Sequence, residues 1–402
     1  MLESFVVAPR VSISHHDPYR GYTRLRQLAP VYTMPSGLVL VSGHAAAAAA
    51  LKEVRLERRP DLLGPHMMAH EDPRTRDFVH VTATSMLHSN PPEHGRRRGF
   101  MARAFQPKVI ERLRGSITHV AHRLLDAAAA QGEVDIVEAF ASPLPVHVIA
   151  HLVGVPEQDW ARCVAWSADM APLTDQHLPM DRFLRARTAG EEFSAYLYAL
   201  MAQRRERPRE DMLSALVAAR DGGEELSDAE LISNVITLFI GGHETTTNTL
   251  GHAFVLFHHF PAAREALRAR PDGVEDAVEE VLRYEPAIQL VGQRASEDLV
   301  LEGVPIPAGA RVWTFIGAAN RDPERFAEPE WLDVTRSPNP HLTFGAGAHT
   351  CIGMPLARLE LRIALAALLE RYPDWRFLPQ TLELRPTLTF RGYQRVMVSL
   401  RG

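Results

Sequence analysis

Cys351 lies in a loop whose residue types favour backbone freedom: Phe344-Gly345-Ala346-Gly347-Ala348-His349-Thr350-Cys351-Ile352-Gly353. Three glycines within nine positions admit turns that side-chain-bearing residues resist, and they let the chain approach a flat ligand closely. Free N–H groups in such a loop can point at a sulfur. Pro355 follows and suits the first turn of a helix. A cysteine just before a helix N-terminus feels the positive end of the dipole, which favours thiolate over thiol. The chemistry indicated is thiolate ligation of a metal. A lone cysteine is more often inert and buried. Cys163, in Trp160-Ala161-Arg162-Cys163-Val164, reads as that kind, packed in a helix.

A second concentration of unusual residues is Gly241-Gly242-His243-Glu244-Thr245-Thr246-Thr247. Ser227 with Glu230 three residues later is a capping box, and no proline interrupts the chain before Pro261. About 33 residues of helix span on the order of 50 Å, enough to cross most of a protein this size. The two glycines cost roughly 1 kcal/mol each in a helix interior. Threonines are poor helix residues, and a glutamate lies among apolar turns. Local rules broken together in one place tend to mark function. A kink where another backbone packs closely is the alternative.

These two segments need a scaffold. The 402 residues are 46% hydrophobic and 23% charged, as in an ordinary globular protein. The net charge of −5 gives no basis for nucleic-acid binding. No basic segment followed by an apolar stretch opens the chain, and no apolar run is long enough to span a bilayer. Two cysteines cannot form a disulfide framework, so a reducing cytoplasm is expected. Strands are expected at 31–34, 38–41, 288–294, 299–304 and 311–316, with a hairpin at 382–400. A helix is expected through the alanine run 45–50 and another from near Pro355. From 91 to 284 the pattern is mostly helical, broken by prolines and by Gly222-Gly223. The expectation is one domain over 1–402, mainly α with a smaller β portion.

The cysteine loop resembles that of the cytochrome P450 family, Phe-Gly-x-Gly-x-His-x-Cys-x-Gly, and all six fixed positions match. Glu280-Val281-Leu282-Arg283 resembles the family's Glu-x-x-Arg motif, and Asp333-Val334-Thr335-Arg336 follows in the family order. The resemblance implies the P450 fold, with haem b between the long helix and the cysteine loop. It implies that Cys351 is the axial ligand of the iron, with Phe344 and Gly353 beside it. Glu280, Arg283 and Arg336 would form a network that secures the loop. Haem carries two propionates, whose burial requires cationic or hydrogen-bonding partners. His94 and Arg98 (four apart on one helix face), Arg294 and His349 resemble the family's propionate ligands. Gly241-Gly242-x-Glu244-Thr245 resembles its oxygen-activation motif: Gly241 opens a groove for dioxygen, Thr245 relays protons, and Glu244 connects the relay to solvent.

By this resemblance the chain is a bacterial-type monooxygenase, placing one oxygen atom of O2 into a terpenoid, steroid, fatty acid or polyketide. Substrate contacts are expected from Met86, Leu87, Leu238, Ile288, Leu290, Val291, Thr389 and Phe390, with a lid at 172–179. Two cysteines cannot hold an iron–sulfur cluster, so electrons are expected from a separate ferredoxin and its reductase. Arg96, Arg97, Arg358 and Arg362 are candidates for a basic docking patch; ordinary solvated helix faces are the other reading. A peroxide-driven peroxygenase and a haem-binding sensor or carrier are the rival functions. The pair Glu244–Thr245 argues against both.

Overall fold

The structure is a computed structural model that describes residues 4–8, 11–59, 84–174, 179–221 and 226–401. Strands β1 (Val31–Thr33) and β2 (Val39–Val41) lead into helix α1 (His44–Lys52) and strand β3 (Leu56–Glu57). Helix α1 is the alanine run. Ala46, Ala47, Ala50 and Leu51 are buried with Val39, Val41 and Val312 in the core of the sheet region. Small side chains let that helix sit close to the strands.

The helical body contains α2 (Glu93–Ala102), α3 (Pro143–Val153), α4 (Trp160–Met170), α5 (Met180–Glu206) and α6 (Asp228–His259). Ser227 caps α6 as the sequence predicts. Its hydroxyl accepts from Glu230 N at 3.2 Å, and the Glu230 carboxylate accepts from Ser227 N at 3.0 Å. Helix α6 buries Leu231, Val235, Phe239, Leu250, Phe254 and Phe257. A helix apolar on so much of its circumference belongs in the interior, and α6 packs against α3, α4 and α5.

After α7 (Val274–Tyr284), the chain forms β4 (Leu290–Ala295), β5 (Leu299–Leu301), β6 (Val304–Ile306) and β7 (Arg311–Phe315). The main sheet has the order β1-β2-β7-β4-β3. Strand β7 runs parallel to β2 and antiparallel to β4, pairing Arg311 with Arg294. Helix α8 (Met354–Arg371) follows the cysteine loop, with Pro355 in its first turn.

Two expectations are corrected. The single strand at 299–304 is a hairpin, β5 and β6, turning at Glu302 (φ 48°) and Gly303 (φ 79°). Positive φ at both turn positions matches the twist of the flanking strands, and apolar residues on both sides disguised the turn. The hairpin at 382–400 reduces to one bridge, Leu384–Tyr393. The end of that run, Met397–Ser399, pairs instead with Arg376–Phe377 and Glu133–Asp135. Of the expected lid, 175–178 lie outside the described residues, as do 222 and 223 of the glycine break.

Candidate active site

The cysteine loop is shaped by its glycines. Gly345 (φ 71°) and Gly347 (φ 73°) occupy the left-handed region. A Cβ on Gly347 would fall 2.9 Å from Leu51 O, at the end of α1, so that position also needs glycine for close approach. Cys351 N donates to Phe344 O at 2.8 Å and closes the loop. The Cys351 side chain opens onto a large cavity while lying deep in the protein. Burial pushes its thiol up, while N–H groups of Gly353 and Met354 and the guanidinium of Arg98 pull it down. Burial wins in the bare protein. A metal cation at the sulfur would reverse that balance.

The cavity extends from this loop to the middle of α6. Phe344, His349, Cys351 and Gly353 line it from the loop side. Gly241 and Thr245 line it from α6. One part of the wall is cationic. Arg98 and His94 come from α2, and the His94 and His349 rings lie 4.1 Å apart. Burial, with help from Arg58 and His94, holds His349 neutral, at about 3. Arg58, just after β3, lines the same cavity and is half-buried. Its Nη1 donates to Gly292 O at 3.2 Å, and its Nε has no partner. Burial draws its guanidinium down to about 10.

Among the described lining residues the one acid is Glu360, whose carboxyl burial pushes well up and so keeps neutral. Half-buried cations with no anion of their own fit a ligand that brings carboxylates. Haem propionates meet that requirement. Arg294, expected in this cluster, is not among the cavity-lining residues. It stands on β4 between Glu57 and Arg311 on the neighbouring strands. Arg58 was missed because it follows a two-residue strand and belongs to no motif. Its neighbours Arg55 and Arg59 pair with Glu53 and Glu57, so the sequence alone does not single it out.

On α6 the two glycines do different things. A Cβ on Gly241 would meet nothing within 4 Å, whereas one on Gly242 would press on Ile149 at 3.1 Å. Gly241 therefore leaves room in the cavity, and Gly242 permits close packing by α3. Thr245 Oγ1 donates to Gly241 O at 2.7 Å, a back-bond that bends helices slightly. Glu244 is buried and is not among the cavity-lining residues. Both its oxygens accept from Arg385 Nη1, at 2.8 and 3.0 Å, and Oε1 accepts from Asn248 Nδ2 at 3.2 Å. His243 sits between the hydroxyls of Ser142 and Ser167, each at 3.0 Å, and burial keeps it neutral, at about 3. Arg385 was missed because it lies 141 residues from its partner.

The eight expected wall residues, Met86, Leu87, Leu238, Ile288, Leu290, Val291, Thr389 and Phe390, all line the cavity. Ile149, Met170 and Leu173 extend the apolar surface, and Ser194 and Thr237 add hydroxyls.

Beneath the loop, Arg283 grips Glu280 with two nitrogens, each at 2.8 Å, and both side chains are fully buried. Arg336 Nε and Asn339 Nδ2 reach Glu280 Oε2 at 3.1 and 3.0 Å, and Asp333 N donates to Oε1 at 2.8 Å. Arg283 also donates to the carbonyls of Asn320, Pro329 and Trp331. Asn320 continues the path, accepting from Leu342 N and donating to Thr343 Oγ1. One ion-pair cluster thus ties α7 and the irregular stretch at 320–339 to the start of the cysteine loop.

The expected basic patch is a correction. Arg97 Nε donates to Glu230 at 2.9 Å, and Arg96 pairs with the same carboxylate. Arg358 pairs with Glu279 and Arg362 with Glu275. Arg96 and Arg97 share the carboxylate of Glu230, and the four residues divide between the start of α6 and the side of α7. Glu279 also accepts from His341 at 3.1 Å, so Arg358 pins α8 to α7.

The family model for cytochrome P450 matches residues 166–390. The chain is 36% identical over 393 residues to the biotin biosynthesis cytochrome P450 of Bacillus subtilis (strain 168), covering 95% of this chain and 96% of that protein. It is 38% identical to cytochrome P450 monooxygenase PikC of Streptomyces venezuelae, covering 96% and 91%. Its fold superposes with a TM-score of 0.88 on P450BioI in complex with hexadec-9Z-enoic acid ligated acyl carrier protein, at 34% identity and covering 96% and 98%. No helix among the described residues is long and apolar enough to cross a membrane. The cysteine loop, the glycine–threonine segment of α6 and the Glu280–Arg283 cluster thus stand in a chain that belongs to the cytochrome P450 family and is one of its oxygenases.

Proposed function

We propose that this oxygenase holds haem b through Cys351 and places one oxygen atom of O2 into an apolar small molecule, with electrons from a cytoplasmic ferredoxin and its reductase. The observation that carries the reading is the meeting of Cys351, from the cysteine loop, and Thr245, from α6, on the wall of one cavity that Arg58 and Arg98 also line. Bound haem supplies the oxygen activation and carbon oxidation. The chain's residues do the rest. Arg58 and Arg98 neutralise the propionates, His94 and His349 hydrogen-bond them, and Phe344 and Gly353 frame the sulfur. Gly241 keeps a space open on α6. Thr245 Oγ holds and passes a proton at that space, with Glu244 behind it as the supply.

The wall from Met86 to Phe390 orients the substrate by shape and excludes water. The names of similar proteins include the polyketide biosynthesis cytochrome P450 PksS of Bacillus subtilis (strain 168) and P450BioI in complex with hexadec-9Z-enoic acid ligated acyl carrier protein. A polyketide-like or fatty-acyl substrate agrees with those names and with the mostly apolar wall. A sensor or carrier would have no use for a proton pathway.

Thr245→Ala tests the relay. With a compound that shifts the haem spin state as substrate, the variant is expected to keep consuming electrons. Most of them should then appear as hydrogen peroxide, and product per electron should fall on the order of 10-fold or more, at the low end for a lost proton-transfer group or below it. The assay is product and peroxide yield per reducing equivalent. Wild-type coupling in the variant would remove Thr245 from the relay.

A further inference from the structure

One turn forms part of the cavity wall and also holds the buried acid of α6. Residues 384–393 leave and return at the Leu384–Tyr393 bridge, and Arg385 N donates to Gly392 O at 2.9 Å. Toward the other end, Thr389 and Phe390 line the cavity, and Phe390 bridges to Ile288. At the base, Arg385 Nη1 holds both oxygens of Glu244. Gly392 lies so close to α6 that a Cβ there would fall 2.0 Å from Asn248 Oδ1. Asn248 in turn donates to Glu244. The turn thus touches the substrate space at one end and the acid with its amide neighbour at the other.

Glu244 is 3% exposed and faces away from the cavity, while the adjacent Thr245 faces into it. A carboxylate in a charge-assisted pair accepts hydrogen bonds and has no proton to donate. It becomes a donor only after leaving the cation and taking up a proton. The grip is one nitrogen on two oxygens, without the second nitrogen of the stronger fork. The Arg385 side chain is 30% exposed, so water reaches the outer side of the pair.

Resting on the monooxygenase reading above, we propose that this turn is a latch on proton delivery: Arg385 is a positioning residue that keeps Glu244 in reserve, and a molecule pressing on Thr389 and Phe390 loosens the pair. Once released, Glu244 takes a proton from water. Its O–H bond then breaks and that proton passes to Thr245 Oγ, while the proton already on Thr245 moves into the cavity. The carboxylate left on Glu244 returns to Arg385. No electron moves in these steps.

The test uses substrate-free, haem-loaded protein that is reduced in advance and supplied with a saturating surrogate ferredoxin. Oxygen uptake is measured in water and in deuterium oxide, each dioxygen leaving as hydrogen peroxide after taking two electrons from ferredoxin and two protons. Arg385→Gln is expected to raise uptake several-fold and to shrink the solvent isotope effect. Arg385→Lys restores wild-type behaviour. Gly392→Ala, which pushes the turn off Asn248, raises uptake as Arg385→Gln does and serves as the test should the glutamine variant fail to load haem. Adding Glu244→Gln to either abolishes the gain.

Unchanged uptake and isotope effect in a variant that keeps a thiolate-type carbon-monoxide band overturns the latch alone. A gain that survives Glu244→Gln overturns it too. Absence of that band from the wild type overturns the monooxygenase reading, and the latch with it.

Discussion

Glu280→Ala is expected to destabilise the protein by on the order of 3–5 kcal/mol, the loss seen when one partner of a buried ion pair is removed. The carboxylate is fully buried and accepts from Arg283, Arg336, Asn339 and the Asp333 amide. Its removal leaves the Arg283 guanidinium buried without a counter-charge. The carbonyls of Asn320, Pro329 and Trp331 remain to hold it, but they carry no net charge. Thermal unfolding should fall by roughly 5 °C, and haem should be lost more readily, because Asn320 and Thr343 pass the disturbance to the cysteine loop. Arg336→Ala should do less, since that side chain is 11% exposed and water can replace part of what it supplies. The checks are a melting curve and the haem-to-protein ratio. A wild-type midpoint for Glu280→Ala would show that the cluster does not support the loop.

Cys351→Ala should abolish oxygenase activity while the chain still folds. The sulfur contributes little packing, because it opens onto the cavity, and the loop is closed by Cys351 N donating to Phe344 O, which alanine also makes. What disappears is the ligand. The other cysteine cannot take its place: Cys163 is enclosed in α4, and burial pushes its thiol up to about 12. The measurements are oxygenase turnover and the haem spectrum, alongside the wild type. Retained turnover in the alanine variant would exclude Cys351 as the axial ligand.

The parts of the fold and site that the sequence reveals are those carried by local pattern. The capping box at Ser227 and Glu230, the glycines around Cys351, and the Glu280–Arg283 spacing each need only a few neighbouring residues. What it conceals depends on distant pairing. Arg385 and Glu244 are 141 residues apart, and Arg358 and Glu279 are 79 apart. Arginines without visible partners therefore read as free charges, although four of them pair with Glu230, Glu275 and Glu279. Arg58 is hidden for the opposite reason: it resembles its ion-paired neighbours, and only its place on the cavity wall without a carboxylate distinguishes it. The tail misled because apolar residues in Met397–Ser399 fit a local hairpin equally well, and the strand at Glu133–Asp135 competes for them across most of the chain.

The haem-thiolate assignment is tested most directly by the reduced, carbon-monoxide-bound difference spectrum of the purified wild-type protein. A Soret band shifted strongly to the red is the expected result, since a thiolate opposite the gas donates electron density to the iron. Haem without that shift would mean that Cys351 is not the thiolate ligand. A protein that takes up no haem would contradict the cofactor itself.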